Sequence, residues 1–306
     1  MTARCDHDLS QPDVWETSYP VVLIRQVLEA KGPAFLCDEI RRDEDPTYVH
    51  HQLLTALLAF VGEERFCGRR LLDFGCGAGA SSVVLARRFS QTEVVGVDIE
   101  APLLALACAR AAHHRLANVS FVCSPAPMRL PPNLGTFDFV VLSAVYEHLL
   151  PAERAALLPQ LWHSLRPGGI LFINQTPHRL FPVERHTTGL PFINYLPPRL
   201  ALVLARRFSR RVSREESWIS LLRRGVRGGT ANTILRDLGP AARRCARLLK
   251  PYRLGVRDEV DLWYRLSRHG RFAHLRRCLW CFLKVTHLAL GVVPVPCLSL
   301  AIHKSA

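Results

Sequence analysis

The segment Leu71-Leu72-Asp73-Phe74-Gly75-Cys76-Gly77-Ala78-Gly79-Ala80-Ser81-Ser82 constrains the fold of this chain more than any other. An apolar strand signal runs into an acid, three glycines follow at alternate positions, and a helical pattern begins at once. Glycine lets a backbone turn tightly and lets a ligand come close without meeting a Cβ. A loop of this kind, between a strand and a helix N-terminus, offers free N–H groups to a polar ligand. Asp98, in Val94-Val95-Gly96-Val97-Asp98, stands where a second strand should end. Loop and acid together describe a pocket for a nucleoside-bearing ligand on an α/β sheet.

The glycines alone leave the ligand open. Gly75-x-Gly77-x-x-Ala80, with an acid about 20 residues on, fits the dinucleotide fingerprint. Asp73 argues for something else. A carboxylate beside the loop repels a pyrophosphate and suits a ligand that carries positive charge there, such as an amino group. Three later segments narrow the choice: Phe137-Asp138-Phe139-Val140 running to Glu147-His148-Leu149, Leu165-Arg166-Pro167-Gly168-Gly169, and Thr176-Pro177-His178-Arg179 running through Pro182, Glu184, His186 and Thr187 to Pro197. In this order, the four segments resemble the class I S-adenosylmethionine-dependent methyltransferases. The loop is similar to their motif I, E/D-x-G-x-G-x-G. The last segment resembles one from a bacterial subgroup that acts on glycans, lipids or secondary metabolites. The likeness covers roughly residues 45 to 200.

The resemblance implies roles for named residues. The donor would be S-adenosyl-L-methionine. The backbone of Gly75, Cys76, Gly77 and Gly79 would hold the methionine carboxylate, and Asp73 would face the amino group. Asp98 would accept hydrogen bonds from the ribose hydroxyls, and Ile99 would lie against adenine. Ser124 stands where the family carries an acid for adenine. Ser143 would sit beneath the sulfonium, with Tyr146 either offering an aromatic face or packing in the core. Glu147 and His148 follow at the strand's C-terminal edge, where open α/β sheets build their sites. Histidine is the default base near neutral pH, so His148 and His178 are the candidate catalytic residues, His178 replacing the Asn of the subgroup's T-P-N-R. Glu184 and His186 are expected to fix their loop.

The alternation of elements predicts a doubly wound, mostly parallel, seven-stranded type of sheet with helices on both faces. Apolar spacing predicts helices over 21–31 and 47–62, covering the entrance to the site. Strands are expected at 71–74, 94–98, 119–123, 138–143 and 170–175, with helices at 79–89, 101–115 and 152–165. Proline then recurs at 177, 182, 191, 197 and 198, so 176–198 reads as an irregular loop. Residues 199–224 and 229–248 read as Arg-rich helices and 296–304 as a final strand, which the resemblance implies is inserted antiparallel at the sheet edge. The resulting division is 1–66 for N-terminal helices, 67–175 for the donor-binding core, 176–290 for a basic helical cap, and 291–306 for a terminal strand.

Charge is uneven. Residues 179–290 hold 24 Lys and Arg against 7 Asp and Glu, while the whole chain holds 40 against 26. A field of this sign attracts anionic partners. The expected activity is methylation, on oxygen or nitrogen, of a small-molecule, glycan or lipid-linked acceptor, the basic cap being read either as a solvated surface or as a site for an anionic acceptor. The alternatives are a non-catalytic cofactor-binding module of the same fold and an RNA methyltransferase using the cap. The RNA reading lacks a recognisable RNA-binding module. The ten cysteines are scattered; only Cys278 and Cys281 have ligand-like spacing, without a second pair. No metal is expected, and the thiols are expected to be reduced. The N-terminal residues lack the basic start and apolar stretch of a signal peptide. The apolar tract 285–302 is interrupted by His287, Gly291, Pro294 and Pro296, which makes it a poor membrane span. The expected location is the cytoplasm, with 279–293, flanked by Arg276, Arg277 and Lys284, able to rest on an anionic membrane surface.

Overall fold

Four of the strands, Arg70–Phe74, Glu93–Asp98, Phe137–Ser143 and Leu165–Pro177, are largely apolar runs, the pattern of strands buried on both faces of a parallel sheet, and a fifth, Val119–Cys123, is half-exposed. The computed structural model, which describes residues 14–267, 273–290 and 295–305, assembles them as such. β1 (Arg70–Phe74), β2 (Glu93–Asp98), β3 (Val119–Cys123), β4 (Phe137–Ser143) and β5 (Leu165–Pro177) run parallel. β7 (Cys297–Lys304) pairs antiparallel with β5, and β6 (Ala246–Leu249) pairs antiparallel with β7. The sheet order is β3-β2-β1-β4-β5-β7-β6.

Alternation along each strand sends successive side chains to opposite faces. Leu72, Val140, Leu142, Leu171 and Ile173 join one core, against Leu157, Leu158, Leu161 and Trp162 of α6 (Pro151–Ser164). Leu71, Phe139, Val141, Ile170 and Phe172 join the other, against α3 (Val49–Leu58) and α4 (Ala80–Arg88). α5 (Ala101–His113) carries the connection from β2 to β3. α1 (Val21–Lys31) and α2 (Leu36–Glu44) form a smaller core of their own with Ala78 of the glycine loop and Leu106 of α5. That cluster buttresses the loop from the side. Beneath it Asp43, almost fully buried, accepts from the Tyr19 hydroxyl and lies 3.7 Å from Arg110, which is itself fully buried.

The cap departs from the sequence expectation in two places. Its Arg-rich segments fold as α7 (Pro198–Phe208), α8 (Trp218–Arg223), α9 (Ala231–Asp237) and α10 (Ala242–Cys245), with turns between. The helix expected over 229–248 ends in β6, which extends the sheet beyond β7. The last strand is therefore an interior one, not the edge. After β6, α11 (Glu259–Leu266) returns to the body of the molecule. Its Val260 and Trp263 enter one core and its Leu262 the other. α12 (Ala273–Leu290) packs on α11 through Leu279, Trp280 and Leu283, with Lys284 paired to Asp258 and Asp261. Its outer side leaves Leu275, Phe282, Val285 and Leu288 exposed. No helix among the described residues is long and apolar enough to cross a membrane. Gly291 and Pro294 of the expected apolar tract lie outside the described residues.

Phe66 pins the first strand from below. It is fully buried, stacks on Phe89 at 4.1 Å between ring centroids and meets Phe139 at 4.4 Å. Phe66→Ala removes that ring from a closed site and should cost about 3–5 kcal/mol in a urea denaturation series; a loss below ~1 kcal/mol would show that the neighbours close over the gap.

Candidate active site

β1 pairs with β2 on one side and with β4 on the other. The chain winds away from β1 in opposite senses on the two sides. Such a switch point leaves a crevice at the C-terminal ends of the strands. Here the crevice encloses about 520 Å³ and is lined by Phe74, Gly75, Val97, Asp98, Ile99, Ser124, Ala144, Val145 and His148, among others.

The glycine loop is held from behind by backbone bonds: Gly75 and Cys76 N–H both donate to Val97 O, at 2.7 and 3.1 Å. Gly75 has φ +74°, and a Cβ there would stand 2.7 and 2.8 Å from the two methyls of Val145. Only glycine lets the β1 and β4 turns approach this closely. Gly79 is the N-cap of α4. Gly77 N–H donates to Asp98 Oδ2 at 2.8 Å, and Glu100 N–H donates to Oδ1 at 3.0 Å. Asp98 is thus aimed across the crevice mouth, anchored by two backbone donors. Ser124 N–H donates to Asp98 O at 2.8 Å, which sets the floor beside Ile99. Ala144 adopts φ +54°, an uncommon left-handed conformation for a residue with a Cβ, and its N–H donates to Asn174 O. Strained backbone of this kind gathers at ligand sites.

Other expected residues sit outside the crevice lining. Asp73 is buried, and its Oδ2 accepts from the Ser81 and Ser82 hydroxyls at 2.6 Å each. Burial holds its carboxyl above the usual range, against those two donors. The Cys76 side chain is buried behind the loop, where desolvation pushes its thiol up. Ser143 lies under the turn after β4, its hydroxyl accepting from Asn174 Nδ2 at 3.3 Å. Tyr146 is a core residue: it is fully buried, donates to Asp237 at 2.8 Å and carries the Arg154 guanidinium over its ring.

A second cavity, of about 660 Å³, opens on the far side of the turn after β4. His178, His186, Glu184, Arg185, Asn194, Trp263 and Leu279 belong to its wall. His178 is buried, and burial pushes its imidazole down to about 4, so it is neutral near pH 7 and a weak base. Its Nδ1 has no hydrogen-bond partner. Glu184 fixes the loop it belongs to. One oxygen accepts from His186 and Thr187 N–H at 2.8 Å, the other from Thr188 N–H and hydroxyl. His148 lines the first crevice and His186 the second cavity, yet their rings lie only 5.3 Å apart. These two rings separate the two spaces at that point.

Several lining residues carry no local sequence signal. Glu153 opens α6 and caps its first turn, taking the Leu150 N–H at 2.9 Å. It also binds the Arg223 guanidinium through both oxygens, so the cap is clamped to the core beside the first crevice. That pair joins residues that are distant in the chain. Val145, Leu149 and Leu157 form the apolar side of the crevice.

A sequence profile of the methyltransferase domain matches residues 71–169, from β1 into the turn of β5. A demethylmenaquinone methyltransferase of Thermus thermophilus is 33% identical over 156 residues, which are 47% of this chain and 67% of that one. The chain belongs to the class I S-adenosylmethionine-dependent methyltransferases. A trans-aconitate 2-methyltransferase of Azoarcus sp. is 35% identical over 125 residues, 39% of this chain. The methyltransferase spans less than half of that relative, 45% of its length. A plantazolicin methyltransferase solved with S-adenosylhomocysteine aligns over 93% of this chain and 97% of its own, at 16% identity and a TM-score of 0.48. The matched profile ends before Pro177, so the wall of the second cavity lies outside it.

In this methyltransferase, Gly75→Ala should force the β4 turn outward through Val145 and strain a left-handed position. The expected result is at least a tenfold loss of S-adenosylhomocysteine affinity by calorimetry, with the circular dichroism spectrum retained. Affinity within twofold of the parent protein would show that the two turns do not need their close approach.

Proposed function

We propose that the protein transfers a methyl group from S-adenosylmethionine, bound in the crevice at the ends of β1, β2 and β4, to an oxygen or nitrogen of a small acceptor held in the second cavity. One observation supports this above the rest: the two spaces meet at a wall made by His148 and His186, with ring centroids 5.3 Å apart. Methyl transfer is an in-line displacement, and it needs the nucleophile about 3–3.5 Å from the methyl carbon. Transfer therefore requires the His148 and His186 side chains to part, so that the two spaces join where they meet.

In this reading, the methionine end lies against the glycine loop, whose Gly75, Cys76 and Gly77 N–H groups stay bonded to Val97 and Asp98, and the buried Asp73 provides negative potential behind it for the amino group. Asp98 keeps its two backbone donors and uses its remaining lone pairs for the ribose hydroxyls. Ile99 and Ser124 flank the base. His148 stands nearest to both chambers and serves as the general base; His178, neutral and without a partner at Nδ1, orients the acceptor by hydrogen bonding.

The acceptor's shape follows from the second cavity. Trp263, Leu266, Leu275 and Leu279 line an apolar part, while Arg185 and Arg276 lie at its polar side. This supports a small or lipid-linked molecule with an apolar body and an anionic group, the methylated atom pointing at the histidine wall. α12, which contributes Leu275, Arg276 and Leu279, also bears the exposed Phe282, Val285 and Leu288. An acceptor with a long apolar portion would have a surface to leave by on that side.

Calorimetry with S-adenosylmethionine checks the donor half of the proposal. The folded protein should bind it, and Asp98→Ala should weaken binding at least tenfold, about 1.4 kcal/mol. No binding to folded protein defeats the proposal, and an unchanged affinity in the variant removes Asp98 from it.

A further inference from the structure

Glu147, His148 and His186 meet at the wall between the two chambers. Each offers one ligand atom, and these atoms all lie within 4.8 Å of one another. Glu147 is fully buried; its Oε2 accepts from the Thr176 hydroxyl at 3.1 Å, while its Oε1 has no partner. A buried carboxylate oxygen without a donor is costly and calls for a ligand. His148 Nε2 is 3.9 Å from that same Oε1. The other nitrogen of His148 lies 2.7 Å from Arg223 O, a carbonyl that can only accept. Nδ1 therefore donates to that carbonyl, which leaves Nε2, the nitrogen nearer the carboxylate, as the one available to a metal. A backbone carbonyl fixing the far nitrogen is the usual support of a metal-bound histidine.

His186 is brought to the cluster by a rigid loop. Glu184 accepts its backbone N–H, and Gly225 packs so closely that a Cβ there would stand 2.7 Å from the His186 ring and 3.1 Å from Glu147 Cγ. The absence of a side chain at 225 lets the histidine and the carboxylate come together. Spacing along the chain could not reveal this, because His186 follows Glu147 only after α6 and β5.

We propose that Glu147, His148 and His186 bind a divalent transition-metal ion of the Zn²⁺ class and present it to the acceptor; the proposal rests on the methyl-transfer reading of the same wall. Two imidazoles and one carboxylate form a donor set suited to such ions. Three protein ligands leave a coordination position open, as catalytic sites do. Ligand atoms bound at about 2.1 Å stand closer together than this cluster does, so the three side chains draw in around the ion. The open position faces the second cavity and takes the acceptor's hydroxyl oxygen. Coordination lowers the pKa of that O–H, so its proton leaves to solvent, and His148, now a ligand, is not the base that the metal-free reading makes it. The oxygen then forms a bond to the methyl carbon as the S–C bond breaks. The bonding pair returns to sulfur, leaving S-adenosylhomocysteine as a neutral thioether.

The test uses the full chain freed of metal by a chelator and then dialysed. Zn²⁺ titrated by calorimetry should bind at one equivalent per chain, and Co²⁺ should give visible ligand-field absorption that Zn²⁺ displaces. Glu147→Gln and His186→Ala should each weaken Zn²⁺ at least tenfold and abolish the Co²⁺ spectrum, while exposed His163→Ala should leave both unchanged. Thermal unfolding and S-adenosylhomocysteine affinity in the absence of metal establish that each variant is folded and that its donor crevice is intact. If Glu147→Gln does not fold, His186→Ala, on the loop, decides alone. No stoichiometric binding, or binding unaffected by the substitutions, overturns the metal site. If S-adenosylhomocysteine still binds in that case, the donor reading survives; if it does not, that reading fails separately.

Discussion

β1 lies between β2 and β4, parallel to both, and that pairing places every other part of the site. Leu71 and Leu72 are fully buried between two helical layers, so β1 cannot slip without turning a core residue toward the wrong face. Its register brings Asp73 opposite Gly96 and Val141. From there the chain has to leave the sheet, and it leaves next to the ends of β2 and β4. The glycine loop, Asp98 and the turn of Ala144 and Val145 converge because three strands end at one level. The crevice is a consequence of the register. The loop glycines then make it narrow, by letting Gly75 touch Val145.

The cap is fastened to this frame by charge and by carbonyls. Arg223 reaches from α8 to Glu153 on α6. Arg154 donates to the carbonyls of Tyr146 and Glu147 on the core side, and of Arg227 and Gly228 on the cap side. Arg227 donates to the carbonyls of Asn194 and Leu196. Several of the arginines that make the segment so basic therefore bind backbone oxygens within it. Charge counted along the sequence overstates the charge free for a partner. What the cap does at the site is carried by one turn, where the buried Glu184 organises four donors and holds His186 against the wall.

The interior strands were legible because a strand buried on both faces must be largely apolar, and those runs stand out from the helical patterns between them. The crevice was legible for the same local reason: Asp73, the glycines and Asp98 are set by their own strand ends. The short strand Ala246–Leu249 was not, since its four residues follow an Arg-rich helical pattern and owe their extended form to β7 alongside them. α2 was missed as well; Asp38, Glu39, Arg41 and Arg42 hide its one apolar face. The second cavity was visible only as candidates. His178 and His186 are named by a motif, but the distance of one from His148, and the burial that keeps the other neutral, arise from contacts between segments far apart in the chain.

Amide hydrogen exchange with and without S-adenosylhomocysteine tests the placement of the donor most directly. The account predicts that added ligand slows exchange in peptides covering 74–79, 98–100 and 144–149, the ends of β1, β2 and β4, and leaves 242–249 at the opposite sheet edge unchanged. Protection confined to the cap, or ligand binding that leaves those three strand ends unaltered, would contradict it.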